Sequence, residues 1–111
     1  MTSSSTESPN PRPPKVSVLM LTYNHAAYID DAICSVLRQR CPFGYELLIA
    51  DDHSTDGTSE RCQAWADRFP DRIRYIRNPH NKGLARNFMD SYALLRGEYV
   101  AICEGDDWWI S

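Results

Sequence analysis

The sequence predicts an α/β fold built on a parallel sheet. Three features lead there: short apolar runs of strand length, segments with apolar residues at helical spacing, and the alternation of the two along the chain. Parallel strands need crossover connections, and helices supply them. With 111 residues, 42% hydrophobic and 24% charged, the chain can build one modest domain.

Residues 1–14 combine Ser, Thr and Pro without a large aliphatic side chain after Met1. Such a segment cannot bury enough apolar area to offset chain entropy, so a disordered tail is expected, with the folded part over 15–111. The run VSVLML at 16–21 suits a strand buried on both faces. Over 27–39, Ile29, Ala32, Ile33, Val36 and Leu37 form an amphipathic stripe, which Pro42 and Gly44 stop. LLIA at 47–50, opened by Tyr45-Glu46, is the second strand and runs into the polar cluster DDHSTDGT. The following helix carries Cys62, Trp65, Ala66 and Phe69 on one face, has Thr55 or Asp56 as N-cap and closes at Pro70. RIRYIR at 72–77 largely alternates charged and apolar residues, which places the third strand at a sheet edge. The third helix has Leu84, Phe88, Tyr92 and Leu95 as its stripe and Gly97 as a left-handed C-cap. YVAIC at 99–103 is the fourth strand, followed at once by Glu104-Gly105-Asp106-Asp107. Right-handed crossovers with the Arg-rich strand at one edge favour the order 3-2-1-4, about four strands with three helices.

The balance of 15 acids against 12 bases, a formal charge of −3, argues against a nucleic-acid partner held through phosphates. No apolar run approaches the ~18 residues of a membrane span, and the start of the chain lacks a secretory signal. The expected compartment is cytoplasmic. Membrane association, at the inner face, is open to a full-length enzyme only through regions missing here. The four cysteines, Cys34, Cys41, Cys62 and Cys103, lack zinc or disulfide-framework spacing and read as reduced packing residues.

In an open α/β sheet, ligands bind outside the carboxyl ends of the strands where strand order reverses, here between the first and fourth strands. Thr22-Tyr23-Asn24, Asp51-Asp52 and Glu104-Gly105-Asp106-Asp107 all converge on that rim. Clustered carboxylates repel unless a cation or donor relieves them, and hard oxygen ligands suit Mg²⁺ or Mn²⁺ shared with substrate phosphates. Tyr23 offers an aromatic face to a base, and Arg86 is a phosphate partner.

These residues carry a family resemblance. PKVSVLMLTYNHAAYIDDAICSVLRQ, ELLIADDHSTDGT, NPHNKGLARN and RGEYVAICEGDDWW resemble the successive N-terminal motifs of family 2 glycosyltransferases, which have the GT-A (Rossmann-like) fold. The resemblance spans about residues 14–111. It implies a UDP-, GDP- or dTDP-sugar donor, a divalent metal (Mg²⁺ or Mn²⁺), a glycan or lipid-linked acceptor, and inversion by direct displacement. Thr22 and Tyr23 match positions near the base, with Asn24 beside them, and Asp52 matches the acid on the base edge. Arg86 matches the arginine facing the nucleotide. Asp106 and Asp107 match the motif that holds the ribose and the metal; where the family has Asp, this chain has the longer Glu104. The family's general base lies well downstream, so it is expected beyond Ser111, along with the acceptor site. On that reading the chain is truncated after the acidic motif, holds only the donor and metal half of the enzyme, and has little or no transferase activity alone. The fourth strand would then be an uncovered edge beside Trp108, Trp109 and Ile110.

Plainer roles compete for several residues. Asp56, ahead of Gly57-Thr58, reads as a cap or turn former; Trp108 and Trp109 read as core or interface residues; His25 and His53 are loop residues without a role. A nucleotidyltransferase would want a Gly-rich basic loop after the first strand, and TYNHAAY lacks one. A catalytically inactive nucleotide-binding fragment or interaction module is the remaining alternative.

Overall fold

The computed structural model describes residues 16–38, 44–104 and 107–110. The expected tail, Gln39, Cys41, the Pro42 stop, Gly105 and Asp106 lie outside them, and the side chains of Glu104 and 107–110 are likewise outside. In chain order come β1 (Val16–Thr22), α1 (Ile29–Leu37), β2 (Tyr45–Asp51), α2 (Thr58–Arg68), β3 (Ile73–Arg77), α3 (Leu84–Tyr92), β4 (Tyr99–Glu104) and β5 (Asp107–Ile110).

One sheet joins the strands in the order β3-β2-β1-β4-β5. The first four are parallel in the expected order, with Val16 beside Tyr45 and Tyr99, and Leu47 beside Ile73. β5 runs antiparallel to β4, with Glu104 opposite Asp107 and Ala101 opposite Ile110. The expected uncovered edge at β4 is therefore corrected, because the chain folds back on itself and pairs that edge. Gly-Asp between two apolar runs is a two-residue hairpin signal that finds this strand.

β1 and β2 are buried on both faces because every residue after the first meets a covering layer. Val18, Met20, Leu47 and Ile49 pack with Ile29, Ile33 and Val36 of α1 and with Cys62 and Ala66 of α2. On the other face Leu19, Leu21, Leu48 and Ala50 meet Phe88 and Leu95. That alternation is the pleat period applied to a two-sided sheet.

The third helix departs from its expected stripe. Leu84 is 59% exposed and Tyr92 is also exposed, while Asn87 and Ser91 face the core. Asn87 is held inward by its own bonds: Nδ2 donates to the Ala50 carbonyl and Oδ1 accepts from Asn78. Gly97 is no left-handed C-cap either. α3 ends at Tyr92 with Ala93 in the right-handed region, and Gly97 is absent from the positive-φ glycines. Its need is closeness, since a Cβ there would lie 2.5 Å from the Ser17 nitrogen and 2.7 Å from the Val16 carbonyl carbon.

Candidate functional site

At the carboxyl rim Thr22 pairs with Asp51 and Leu21 with Glu104, so the ends of β1, β2 and β4 lie side by side. A cleft of about 510 Å³ opens there. Leu21, Thr22, Tyr23 and His25 line it from β1 and the loop after it, Asp52 from the end of β2, and Asn81, Gly83, Leu84 and Asn87 from α3 and the turn before it.

Asp52 is buried and gripped by that turn. Its Oδ1 accepts from the Lys82 amide (2.8 Å) and the Asn78 side chain (2.9 Å), and its Oδ2 accepts from the Gly83 amide (2.8 Å). Gly83 adopts φ +91°, a conformation that costs a side-chain-bearing residue. Burial pulls the Asp52 carboxyl upward, but the Lys82 amide, Asn78, the Gly83 amide and the Lys82 charge together hold it below the usual carboxylate value. It stays an anion and hence an acceptor only.

The adjacent Asp51 is fully buried and serves a different network. Its Oδ1 accepts from the Ser54 amide and hydroxyl, and its Oδ2 from Ser59 and from the Tyr75 hydroxyl at 2.6 Å. Burial, then this bond, raises the Tyr75 hydroxyl pKa. Ser54 in turn accepts from the Asn24 amide at 2.9 Å, while Asn24 Oδ1 accepts from the Thr55 amide at 2.8 Å. Thr58 accepts from the His25 amide, and Asp56 from the Ala26 and Thr58 amides and the Thr58 hydroxyl. The loop after β1 is thus fastened to the segment after β2 by four hydrogen bonds from three successive residues, Asn24, His25 and Ala26, with Asn24 at φ +56° making the turn. Asp56 is a turn former, as expected. Asp51, expected on the rim beside Asp52, instead serves this buried network, and Ser54 and Thr58 have no signal in the sequence beyond the polar cluster DDHSTDGT.

The structure thus brings Thr22, Tyr23 and Asp52 to one cleft. Asn24 sits behind it in the loop clamp. Arg86 lies on α3 outside the lining, 70% exposed and 3.5 Å from Asp90. Asp107 begins β5 opposite Glu104 on the same rim, and Asp106 is outside the described residues. Among the described residues no three His, Cys, Asp or Glu side chains gather as a metal site, and no helix is long and apolar enough to cross a membrane.

An open, largely parallel sheet with a cleft at the carboxyl ends of its strands makes this an α/β protein, a class whose ligands bind outside those ends. Residues 17–111 match the family model described as Glycosyl transferase family 2, and the chain belongs to that family. An uncharacterised protein of Mycobacterium tuberculosis is 42% identical over 94 residues, 85% of this chain and 27% of that protein. The putative glycosyltransferase EpsE of Bacillus subtilis is 39% identical over 94 residues, 85% of this chain and 34% of its own length. The mannosyltransferase PcManGT of Pyrobaculum calidifontis, solved with GDP-Man and Mn²⁺, superposes with a TM-score of 0.74 at 27% identity over 86% of this chain and 28% of that one. Its fold is that of the GT-A glycosyltransferases. The chain therefore spans about a third or less of the proteins it matches.

Proposed function

We propose that this chain is the donor-binding part of a glycosyltransferase that moves a sugar from a UDP-, GDP- or dTDP-sugar to an acceptor hydroxyl with inversion. The acceptor, a glycan or lipid-linked sugar, and the general base then come from polypeptide beyond Ser111, which makes residues 15–111 the first part of a longer transferase domain and 1–14 its tail. The observation that carries this reading is the meeting of Thr22, Tyr23 and Asp52 in one cleft at the switch point. Tyr23, 45% exposed, offers its ring to a base, and Asp52 accepts an N–H from the base edge. Asn24 fixes the loop that presents Tyr23, and Arg86 answers the phosphates from α3.

Asp106 and Asp107 are both carboxylates, which suit a hard divalent cation, Mg²⁺ or Mn²⁺. Asp106 and Asp107 hold it, with Asp106 also on the ribose. A cation at this point offsets the charge that builds on a departing nucleoside diphosphate. We place the domain in a reducing, cytoplasmic compartment: Cys34 and Cys62 are thiols, and burial, then Asp51 and Asp30, pushes Cys62 up to about 12.

Calorimetric titration with UDP, GDP and dTDP, with and without Mn²⁺, tests the reading. The expected result is binding that requires the metal and is weakened at least tenfold by Asp107→Ala. A second reading, a nucleotide-binding or interaction module without catalysis, draws on the exposed Leu84, Met89, Tyr92, Leu94 and Tyr99. Metal-independent binding, or none, favours it.

A further inference from the structure

β3 is the last strand on its side of the sheet, and part of its backbone faces outward. The Leu47 amide donates to the Arg72 carbonyl and the Asn78 amide to the Asp51 carbonyl, both at 2.8 Å, and between them Leu47 to Asp51 run beside Ile73 to Arg77. A parallel ladder engages alternate residues, so Arg74 and Ile76 bond to β2 while Ile73, Tyr75 and Arg77 turn their backbone groups to the free edge. The Ile73 amide is taken by the Phe69 carbonyl at 2.9 Å. Left for another strand are the Ile73 carbonyl, both groups of Tyr75 and the Arg77 amide. Beside them a cavity of about 380 Å³ is lined by Ser59, Glu60 and Gln63 of α2 and by Tyr75 and Arg77, so that helix stands back from the edge.

A bare edge invites a further strand, and arginines along it restrict which strand and which register. A closed pair of identical chains is two-fold symmetric, and two copies of one edge then run antiparallel. Centring that pairing on Arg74 sets Arg74 against its own copy, and like charges directly opposite are destabilising. Centring it on Ile76 sets Ile73 opposite Pro79, which lacks an N–H. Centring it on Tyr75 uses every outward residue: Tyr75 exchanges both its bonds with its own copy, and at each end an Arg77 amide donates to an Ile73 carbonyl. In this register Arg77 lies diagonal to Asp71 of the second copy, within reach of a long side chain. Both are exposed, and among the described residues neither is in an ion pair. The Arg77 guanidinium donates to the Ser59 hydroxyl and the Ser54 carbonyl, so it meets no carboxylate within its own chain. The edge is thus complementary in charge to its own reversed copy.

We propose that β3 is the seam of a homodimer: two copies pair their β3 edges antiparallel about a two-fold axis at Tyr75, joining two sheets into one, with Arg77 of each copy against Asp71 of the other.

Sedimentation equilibrium of the 111-residue chain tests this. A reversible monomer–dimer equilibrium is expected. Arg77→Glu sets a carboxylate against Asp71 and should weaken the dimer about tenfold, and adding Asp71→Arg should recover most of that loss, which a merely structural role of either side chain would not allow. Amide exchange on the unmutated chain locates the contact: with rising concentration the Tyr75 and Arg77 amides should slow, and the Ile73 amide, already bonded within the chain, should not. A chain that stays monomeric at every concentration overturns the inference, as does a dimer whose Tyr75 amide exchanges at the monomer's rate. An Arg77→Glu variant that associates as its parent does, or a double variant no better than the single one, overturns it too. Should the variants not fold, the association and amide exchange of the unmutated chain decide.

Discussion

Asp51 and Asp52 are neighbours in sequence and separate in purpose. The period of the strand assigns them: Leu47, Ile49 and Asp51 share one face, so Asp51 is buried toward α2, and Asp52 falls on the side of the turn before α3. Their alternation was readable in the sequence, but the donors that hold each one come from segments 3 to 31 positions away and were not. Gly97 shows the same limit. Its position after a helix suggests a left-handed cap, whereas the actual demand comes from the β1 backbone, 80 residues away in the chain, whose Ser17 hydroxyl accepts from its amide. Gly97→Ala should therefore destabilise the fold by about 1–3 kcal/mol, through overpacking and without any strain in φ. A thermal melt of the variant measures it; a melting temperature equal to the parent's would mean that the β1 and β4 ends separate at no cost.

Element by element, the strands were legible because a two-sided sheet writes continuous apolar runs, and the switch point follows from their order. β5 is faint in the sequence because DWWI is only four residues long, too short to show a strand's alternation. α3 was misread for a physical reason: helical periodicity says that Leu84, Phe88, Tyr92 and Leu95 share a stripe, but only Phe88 and Leu95 pack on the Leu19 cluster. The seam nearer the sheet is polar, because the Ala50 carbonyl at the end of β2 needs a donor that Asn87 supplies. Replacing Asn87 by Leu keeps the γ-branched shape in a somewhat larger side chain and removes both bonds, leaving the Ala50 carbonyl and the Asn78 amide group short of a partner. The expected cost is about 1–3 kcal/mol in urea unfolding. Asn78 also donates to Asp52, so nucleotide affinity should fall with it. An Asn87→Leu protein as stable as its parent would show that the apolar stripe, not the amide, seats this helix.

Across the whole molecule, the excursion from β3 through α3 to β4 is tied to the sheet at both ends by a buried carboxylate. Asp52 holds its start at the carboxyl rim. Glu46 holds its finish at the opposite rim, accepting from the Ser17 hydroxyl, the Arg96 amide at 2.8 Å and Arg74 at 2.9 Å. Burial pulls the Glu46 carboxyl upward, yet the Ser17 hydroxyl, the Arg96 amide and the Arg74 charge and hydrogen bond outweigh it and hold the carboxyl below its usual value. Both groups therefore have lower pKa values folded than unfolded. The stability they supply is complete above the ordinary carboxylate range of about 4, and it is lost as pH falls through the folded values, where the native carboxylates must take up protons. The melting temperature should accordingly hold level from pH 7 to about 5 and drop steeply below about 4. Glu46→Gln should start lower at pH 7, because its amide puts a donor against Ser17, Arg74 and Arg96, and should fall less on acidification. Were the variant and its parent to fall in parallel, the acid response would belong to other carboxylates, and Glu46 would fasten the sheet through geometry instead of charge.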